Sequence, residues 1–267
     1  MINIRVFLIA IVIWCSAAIS FAAPYAAIVI DADTGKVLHF ENANTRLHPA
    51  GLTKLATLYA AFEAVETREI DLEAKARISL KAANEELAAL GMREGQRVSI
   101  RDLIRASAIK GANDTSTALA EAISGSEQDF TKRLDETAEK LVLLRSTFKN
   151  AHGLTEKGHL STANDMAFLM KAIADDFPNY LFVLGLIRHK AADKKITHSA
   201  RRLLKTYEGA VAAKTGYTRA AGFNGVLLAD RSNERIITVV FGGKSTTTMI
   251  AQIPKLTDLG FRKKPSN

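Results

Sequence analysis

Apolar and polar positions alternate in two registers along this chain. Residues 25–40, "YAAIVIDADTGKVLHF", form two apolar runs around Asp33-Thr34-Gly35 and predict strand, turn, strand. From 52 to 66 the period changes. Leu55, Leu58, Tyr59, Phe62 and Val65 recur at helical spacing, which predicts a helix with its apolar side in the core. Residues 68–175 read as mostly helical. Ser99-Ile100-Arg101-Asp102 resembles a capping box that opens a helix through Ile109. After the break "KGAND", Asn113 or Asp114 is the expected cap of a helix to Ile123, stopped by Ser124-Gly125. Ser161 is the expected cap of "NDMAFLMKAIADD", and residues 176–208 carry no pattern that assigns them. Near the end, "GFNGVLLAD" and "RIITVVFGG" flank a turn at Arg231-Ser232-Asn233, and a last helix is expected from Thr247 to Leu259. Strands at both ends of a helical middle predict one sheet assembled from distant segments, an α/β fold of the α+β type.

Composition adds a compartment. The chain has 267 residues, 48% hydrophobic and 24% charged, with no internal repeat, so it suits one sizeable core. Its first residues hold Arg5, an apolar run from Val6 to about Ala18, then Ser20 and Ala22 at the spacing of a signal-peptidase site. Residues 1–22 are therefore expected to be a cleaved signal peptide delivering residues 23–267 to the periplasm, with an uncleaved anchor as the alternative. Cys15 is the only cysteine, so the mature chain has none, which excludes disulfides and thiol catalysis. Losing Arg5 lowers the net charge from +8 to +7. A basic exported protein suits an anionic envelope or polymer. The cations are dispersed without a nucleic-acid motif, so nucleic acid is not an expected partner. No metal-ligand or nucleotide-binding spacing appears, and no cofactor or metal is expected.

Three short stretches carry the chemistry. Gly51-Leu52-Thr53-Lys54 stands at a helix start, Gly111-Ala112-Asn113 in a break between helices, and Lys214-Thr215-Gly216 ahead of a strand. S-x-x-K, a serine-bearing second motif and K-T-G form the signature of penicillin-binding proteins and serine β-lactamases. With "HPAGLTKL", "KGANDTSTALAEAISGS", "NAHGL", "STANDMA" and "KTGYTRAAGFN" in family order, residues 25–262 resemble the D-alanyl-D-alanine carboxypeptidases, the low-molecular-weight penicillin-binding proteins. The resemblance implies an antiparallel sheet flanked by helices. It also implies an all-helical subdomain, roughly residues 68–175, with the active site between the two.

The resemblance also implies residue roles. Position 51 is that of the nucleophile, Lys54 of the general base, position 111 of a proton-relaying serine and Asn113 of a side chain that bonds a substrate amide. Lys214 and Thr215 are expected to grip a terminal carboxylate, beside Gly216. The backbone N–H groups of Gly51 and Tyr217 are expected to form an oxyanion hole. Both hydroxyls are missing here, because Gly51 and Gly111 stand at the serine positions. The stretches before K-T-G, Gly209–Ala213 and Ser199–Leu204, also depart from the family pattern. In a comparable serine hydrolase, losing the nucleophile costs about a million-fold in turnover, roughly 8 kcal/mol.

No substitute is evident. Thr53 lies about 200° round the helix from position 51. Ser107 and Ser116 are about a turn from the second motif. Ser146-Thr147-Phe148-Lys149 matches S-x-x-K but breaks the motif order. The expectation is a cleft that has lost acyl transfer and holds a peptidoglycan stem peptide ending in D-Ala-D-Ala non-covalently. A non-covalently held β-lactam or a protein partner are further ligand expectations. The rival is an active carboxypeptidase using another nucleophile or a water activated by Lys54; a third reading is an interaction protein with a vestigial cleft. Plainer roles exist for each residue: Lys54 on a solvated surface, Asn113 as a helix cap, Lys214-Thr215 as an edge-strand pair.

Overall fold

The computed structural model describes residues 23–264, so the expected export segment with Cys15 lies outside the described residues. Along the chain run β1 (Ala26–Asp31), β2 (Val37–Glu41), α1 (Thr53–Glu66), β3 (Lys75–Arg77), α2 (Leu80–Ala83), β4 (Arg97–Ser99), α3 (Ile100–Arg105), α4 (Asn113–Ser124), α5 (Glu127–Lys140) and α6 (Ala163–Asp176). There follow α7 (Pro178–Leu181), β5 (Arg188–Ala191), β6 (Lys194–Thr197), α8 (Arg201–Thr206), β7 (Ala210–Thr218), β8 (Gly222–Arg231), β9 (Glu234–Gly243) and α9 (Thr246–Lys263).

The main sheet has the order β2-β1-β9-β8-β7, antiparallel throughout. The first strand thus pairs with the last, joining distant segments as the sequence pattern implied. The first hairpin turn is fixed by Asp31, whose carboxylate accepts the N–H groups of Asp33 (2.8 Å) and Thr34 (3.1 Å). The β8–β9 turn places Ser232 and Asn233 at φ +53° and +65°, the turn geometry whose twist matches paired strands.

Both sides of the sheet are covered. Ile28, Ile30, Leu228, Ile237 and Val239 point into the core built with α1, α3, α4 and α6. Leu227, Ala229 and Val240 meet α8 and α9, and Val29 and Ile236 meet Leu256 and Phe261 of α9. Burial on both faces is why these strands read as unbroken apolar runs. The α1 helix packs against α4, α5 and α6 and is buried almost all round from Thr53 to Phe62, polar positions included. Its apolar spacing marked one side of a helix that is enclosed on nearly every side.

The structure corrects the sequence reading at three places and fills in a fourth, the stretch 176–208. Residues 68–175 hold α2 to α6, and also the two-stranded ribbon β3–β4 and an irregular stretch from 141 to 162 of turns and isolated bridges. The unassigned stretch 176–208 forms α7, a second ribbon β5–β6 and α8. The cap of α6 is Thr162, whose Oγ1 accepts the Asp165 N–H (3.0 Å), while the Ser161 hydroxyl bonds Ser146 Oγ (2.8 Å). The last helix runs further than expected, from Ser245 as a reciprocal capping box with Thr248 to Lys263. Among the described residues no helix is long and apolar enough to cross a membrane.

Candidate functional site

A 3-10 turn, Ala50–Leu52, delivers the chain into α1. Ala50 sits at φ +49°, a conformation that costs an L-residue free energy. The surroundings hold it there. Gly153, at φ +89°, lies so close that a Cβ would fall 1.8 Å from the Ala50 carbonyl oxygen. On the other side is Gly216 of β7, where a Cβ would fall 2.2 Å from the Gly51 nitrogen. Two glycines therefore clamp the turn. At Gly51 itself a Cβ would stand 3.0 Å from the Thr215 carbonyl oxygen and 3.1 Å from Gly216 Cα. The edge strand leans against the place a side chain would occupy. Asn224 of β8 anchors this turn too: its Nδ2 donates to the His48 carbonyl (2.9 Å) and its Oδ1 accepts the Gly242 N–H (3.0 Å).

The Lys-Thr-Gly motif lies inside β7, not ahead of it, paired residue for residue with β8. At the second position of α1, Lys54 is 2% exposed and donates to Asn113 Oδ1 (2.7 Å) and to the His152 carbonyl (2.6 Å). Burial pulls its pKa down to about 7, against the opposing pull of the Glu85 and Asp114 carboxylates. It is neither solvated nor an unpaired surface group. Asn113 is no helix cap: it is the first residue of α4, and its Nδ2 donates to the Glu86 carbonyl (2.8 Å). Asp114 does not cap α4 either. Its carboxylate accepts the N–H groups of Leu90 (2.9 Å), Gly91 (2.8 Å) and Met92 (3.3 Å), fastening the 84–92 loop over the helix start. Both side chains were spent on tertiary partners that local sequence cannot reveal.

The helix through Ile109 changes character on the way. After Arg105 it widens into a π-helical turn, Ala106–Lys110, ended by Gly111 at φ +75°. The turn leaves the Ser107 and Ala108 carbonyls free, and both accept from Lys214 Nζ at 2.8 Å. Lys214 is fully buried. That burial and the neighbouring Lys54 ammonium hold its pKa well below the usual lysine value. A Cβ on Gly111 would lie 3.2 Å from Lys214 Nζ. The hydroxyls nearby are engaged elsewhere. Thr53 Oγ1 meets His159 Nε2 (2.8 Å), Ser107 Oγ meets Thr115 Oγ1 (2.9 Å), and Ser116 donates to the Ala112 carbonyl (3.0 Å). Ser146 donates to Asp165 Oδ2 (2.8 Å).

Gly51, Lys54, Gly111, Asn113, Thr215, Gly216 and Tyr217 line one cleft of about 400 Å³; Lys214 lies beneath it. Among the described residues no carboxylate lines this cleft, and Lys54 and Lys110 do. One wall is aromatic, Tyr217 against Phe223 with ring centroids 4.4 Å apart. Sequence reading missed Ser199 as a lining residue: its Oγ accepts from Thr215 Oγ1 (3.1 Å). It also missed a buried group beside the cleft, in which Glu85, Glu127 and His152 bring ligating atoms within 4.8 Å of one another. Its atoms are already committed. His152 Nδ1 accepts the Leu154 N–H (3.1 Å), so the neutral ring carries its proton on Nε2, the atom that faces both carboxylates. Glu127 accepts from the Ala151 N–H (2.8 Å) and pairs with Lys81 (2.7 Å). The donor set suits an acid–imidazole cluster better than a cation.

Known proteins share this frame. A family model described as D-alanyl-D-alanine carboxypeptidase matches residues 16–245. The D-alanyl-D-alanine carboxypeptidase DacF of Bacillus subtilis is 36% identical over 238 residues, 88% of this chain and 61% of that protein. DacC of Escherichia coli is 35% identical over 246 residues, 88% of this chain and 60% of that protein. The chain thus spans about 60% of the length of these curated relatives. Penicillin binding protein 5 from Haemophilus influenzae superposes with a TM-score of 0.84 at 28% identity, over 89% of this chain and 70% of that one. Penicillin-Binding Protein D2 from Listeria monocytogenes, in its cefotaxime-bound form, gives 0.77 at 27% identity, over 88% and 96%.

Proposed function

The chain belongs to the D-alanyl-D-alanine carboxypeptidase family, and from that premise we propose that it is a cell-wall peptide-binding member whose acyl-transfer chemistry is disabled. One observation carries the reading. Gly51 offers no atom to acylate at the position expected of the nucleophile, and the β7 backbone stands 3.0 Å from where its Cβ would be. Gly111 removes the second hydroxyl of the same proton route. The binding groups remain: Lys54 and Asn113 stay bonded to each other at 2.7 Å, and Thr215 and Tyr217 stay open to the cleft. Backbone N–H donors at Gly51 and Tyr217 need no side chain to hold a ligand oxygen. A cleft with lysines and no carboxylate favours an anionic ligand, and the proposed one is a peptidoglycan stem peptide ending in D-Ala-D-Ala, with non-covalent β-lactam as a mimic. Export to the periplasm by the signal segment is part of the same proposal.

Calorimetry with such a pentapeptide, combined with an assay of free D-alanine in the same sample, tests it. Saturable heat without D-alanine release is expected, and Asn113→Ala should weaken binding about tenfold, the loss of one good hydrogen bond. The absence of any heat would instead favour a vestigial cleft. One observation favours the rival, an active enzyme working through water: Lys54, with its pKa near 7, is poised as a base. Release of D-alanine that disappears in Lys54→Met would establish that rival.

A further inference from the structure

Two ribbons outside the main sheet set cation against cation. In β3–β4, Arg77 stands directly opposite Arg97 and Lys75 opposite Ser99. In β5–β6, Lys190 stands opposite Lys195 and Arg188 opposite Thr197. Side chains alternate along a strand, so each set of four shares one face of its ribbon. All but the half-buried Ser99 are exposed, while Val98, Ala191 and Ile196 of the other faces are buried. Like charges directly opposite one another destabilise a strand pair. The fold has no need of them, because only the inner faces pack.

Among the described residues some surface cations elsewhere are paired, and others, such as Arg93, Lys157 and Arg202, are not. Arg133 meets Glu63 and Glu69, Arg235 meets Asp33 and Asp175, and Lys264 meets Asp31 and Asp33. Of the ribbon cations, Lys190 alone has a carboxylate, the exposed Asp193 at 2.8 Å. Among the described residues no ion pair joins Lys75, Arg77, Arg97, Arg188 or Lys195 to a carboxylate. The ribbons are also fastened together. At the β5–β6 turn, Lys194 Nζ donates to the carbonyls of Leu90 (2.9 Å) and Gly91 (2.6 Å), on the segment leading into β4. The Ala192 N–H of the same turn donates to Asp102 (3.1 Å), on the helix that leaves β4. Leu87 and Ala88 of that segment line the cleft, so the segment to which Lys194 is fastened reaches it.

We propose that the two ribbons form a docking surface for a linear phosphodiester polyanion, beside the peptide cleft and independent of its chemistry. Guanidinium forks match phosphate oxygens in pairs. Charges spread over two ribbons suit an extended chain better than a compact anion. The eight outward residues include no apolar side chain to enter a bilayer and no aromatic ring on which nucleic-acid bases would stack. A basic chain of net charge +8 adds long-range attraction.

Fluorescence anisotropy of the full chain with labelled poly(glycerol phosphate) tests this surface, with polyglutamate of equal charge and phosphatidylglycerol vesicles as comparison ligands. The polymer should bind with an affinity that falls linearly on a log–log salt plot. Arg77→Gln with Arg97→Gln should weaken it about tenfold and lower the slope by about two, one for each lost phosphate contact. Arg77→Lys with Arg97→Lys should keep the slope while losing part of the affinity. The melting temperature of the glutamine variant should hold or rise, because a repulsive pair is gone. Undiminished polymer binding by that variant would overturn the proposal. So would equal binding of polyglutamate, a preference for vesicles, or a drop in melting temperature that accounts for the lost binding.

Discussion

Glycine stands at both positions proposed for the family's serines, but the two sites are built differently. At Gly51 the backbone is ordinary and the obstacle is packing: Thr215 and Gly216 of β7 meet a would-be Cβ at 3.0 and 3.1 Å. At Gly111 the packing is looser, since the nearest atom is the end of a lysine side chain at 3.2 Å, and the obstacle is conformation, φ +75°. One glycine lets a strand close in and the other lets a helix end. The two losses lie on one proposed proton route, yet restoring each hydroxyl would cost free energy for a different reason.

The largest effect should come from breaking the clamp that holds the first site. Gly153→Ala would put a Cβ 1.8 Å from the Ala50 oxygen at a left-handed backbone position. Unfolding in urea should show a loss of about 3 kcal/mol or more, the scale of severe overpacking. A loss under about 1 kcal/mol would mean that the turn before Gly51 is not held from this side.

A crossed pair of substitutions comes next. Alanine should cost about 1 kcal/mol at either glycine, from crowding at 51 and from the left-handed backbone at 111. Asparagine tolerates the left-handed region. Gly111→Asn should therefore be milder than Gly111→Ala, whereas Gly51→Asn should be worse than Gly51→Ala. The same order at both positions would erase the contrast.

A further effect is in pH. Burial lowers Lys54 from the ordinary 10.5 to about 7. Between those values the unfolded chain holds a proton that the folded chain has released, so stability should rise as pH climbs from 7 toward 10.5. Lys54→Met should remove its own share of that rise and leave the share of Lys214, whose pKa burial also holds well below 10.5. His159 and His198, held neutral by burial with pKa values of about 3, act in the same direction at lower pH. Their contribution is present above pH 6.5 and is lost as pH falls toward 3. Denaturation midpoints across pH, followed in His159→Gln, separate the two windows.

Much of the frame was legible because local signals agreed with the fold. Asp33-Thr34-Gly35, the apolar spacing of α1 and the Ser232-Asn233 turn each state a local preference that the structure keeps. What escaped was set by distant partners. Asn113 carries the composition of a cap, but Lys54 and the Glu86 carbonyl claim its side chain. The π-helical turn has no sequence period of its own; it frees the carbonyls that a buried lysine requires. Glu85, Glu127 and His152 come from three separate segments, and only packing brings them together. The glycines at 51 and 111 were plain in the sequence, but the nature of each obstacle was not.

The central claim is that this cleft cannot acylate. Incubating the full chain with a fluorescent penicillin, denaturing it and measuring intact mass reads that claim directly. The expected result is unmodified mass and no fluorescent band, with labelling first appearing, slowly, in Gly51→Ser, because β7 must withdraw by a few tenths of an ångström to admit the side chain. A stoichiometric penicilloyl adduct on the unaltered chain would contradict it.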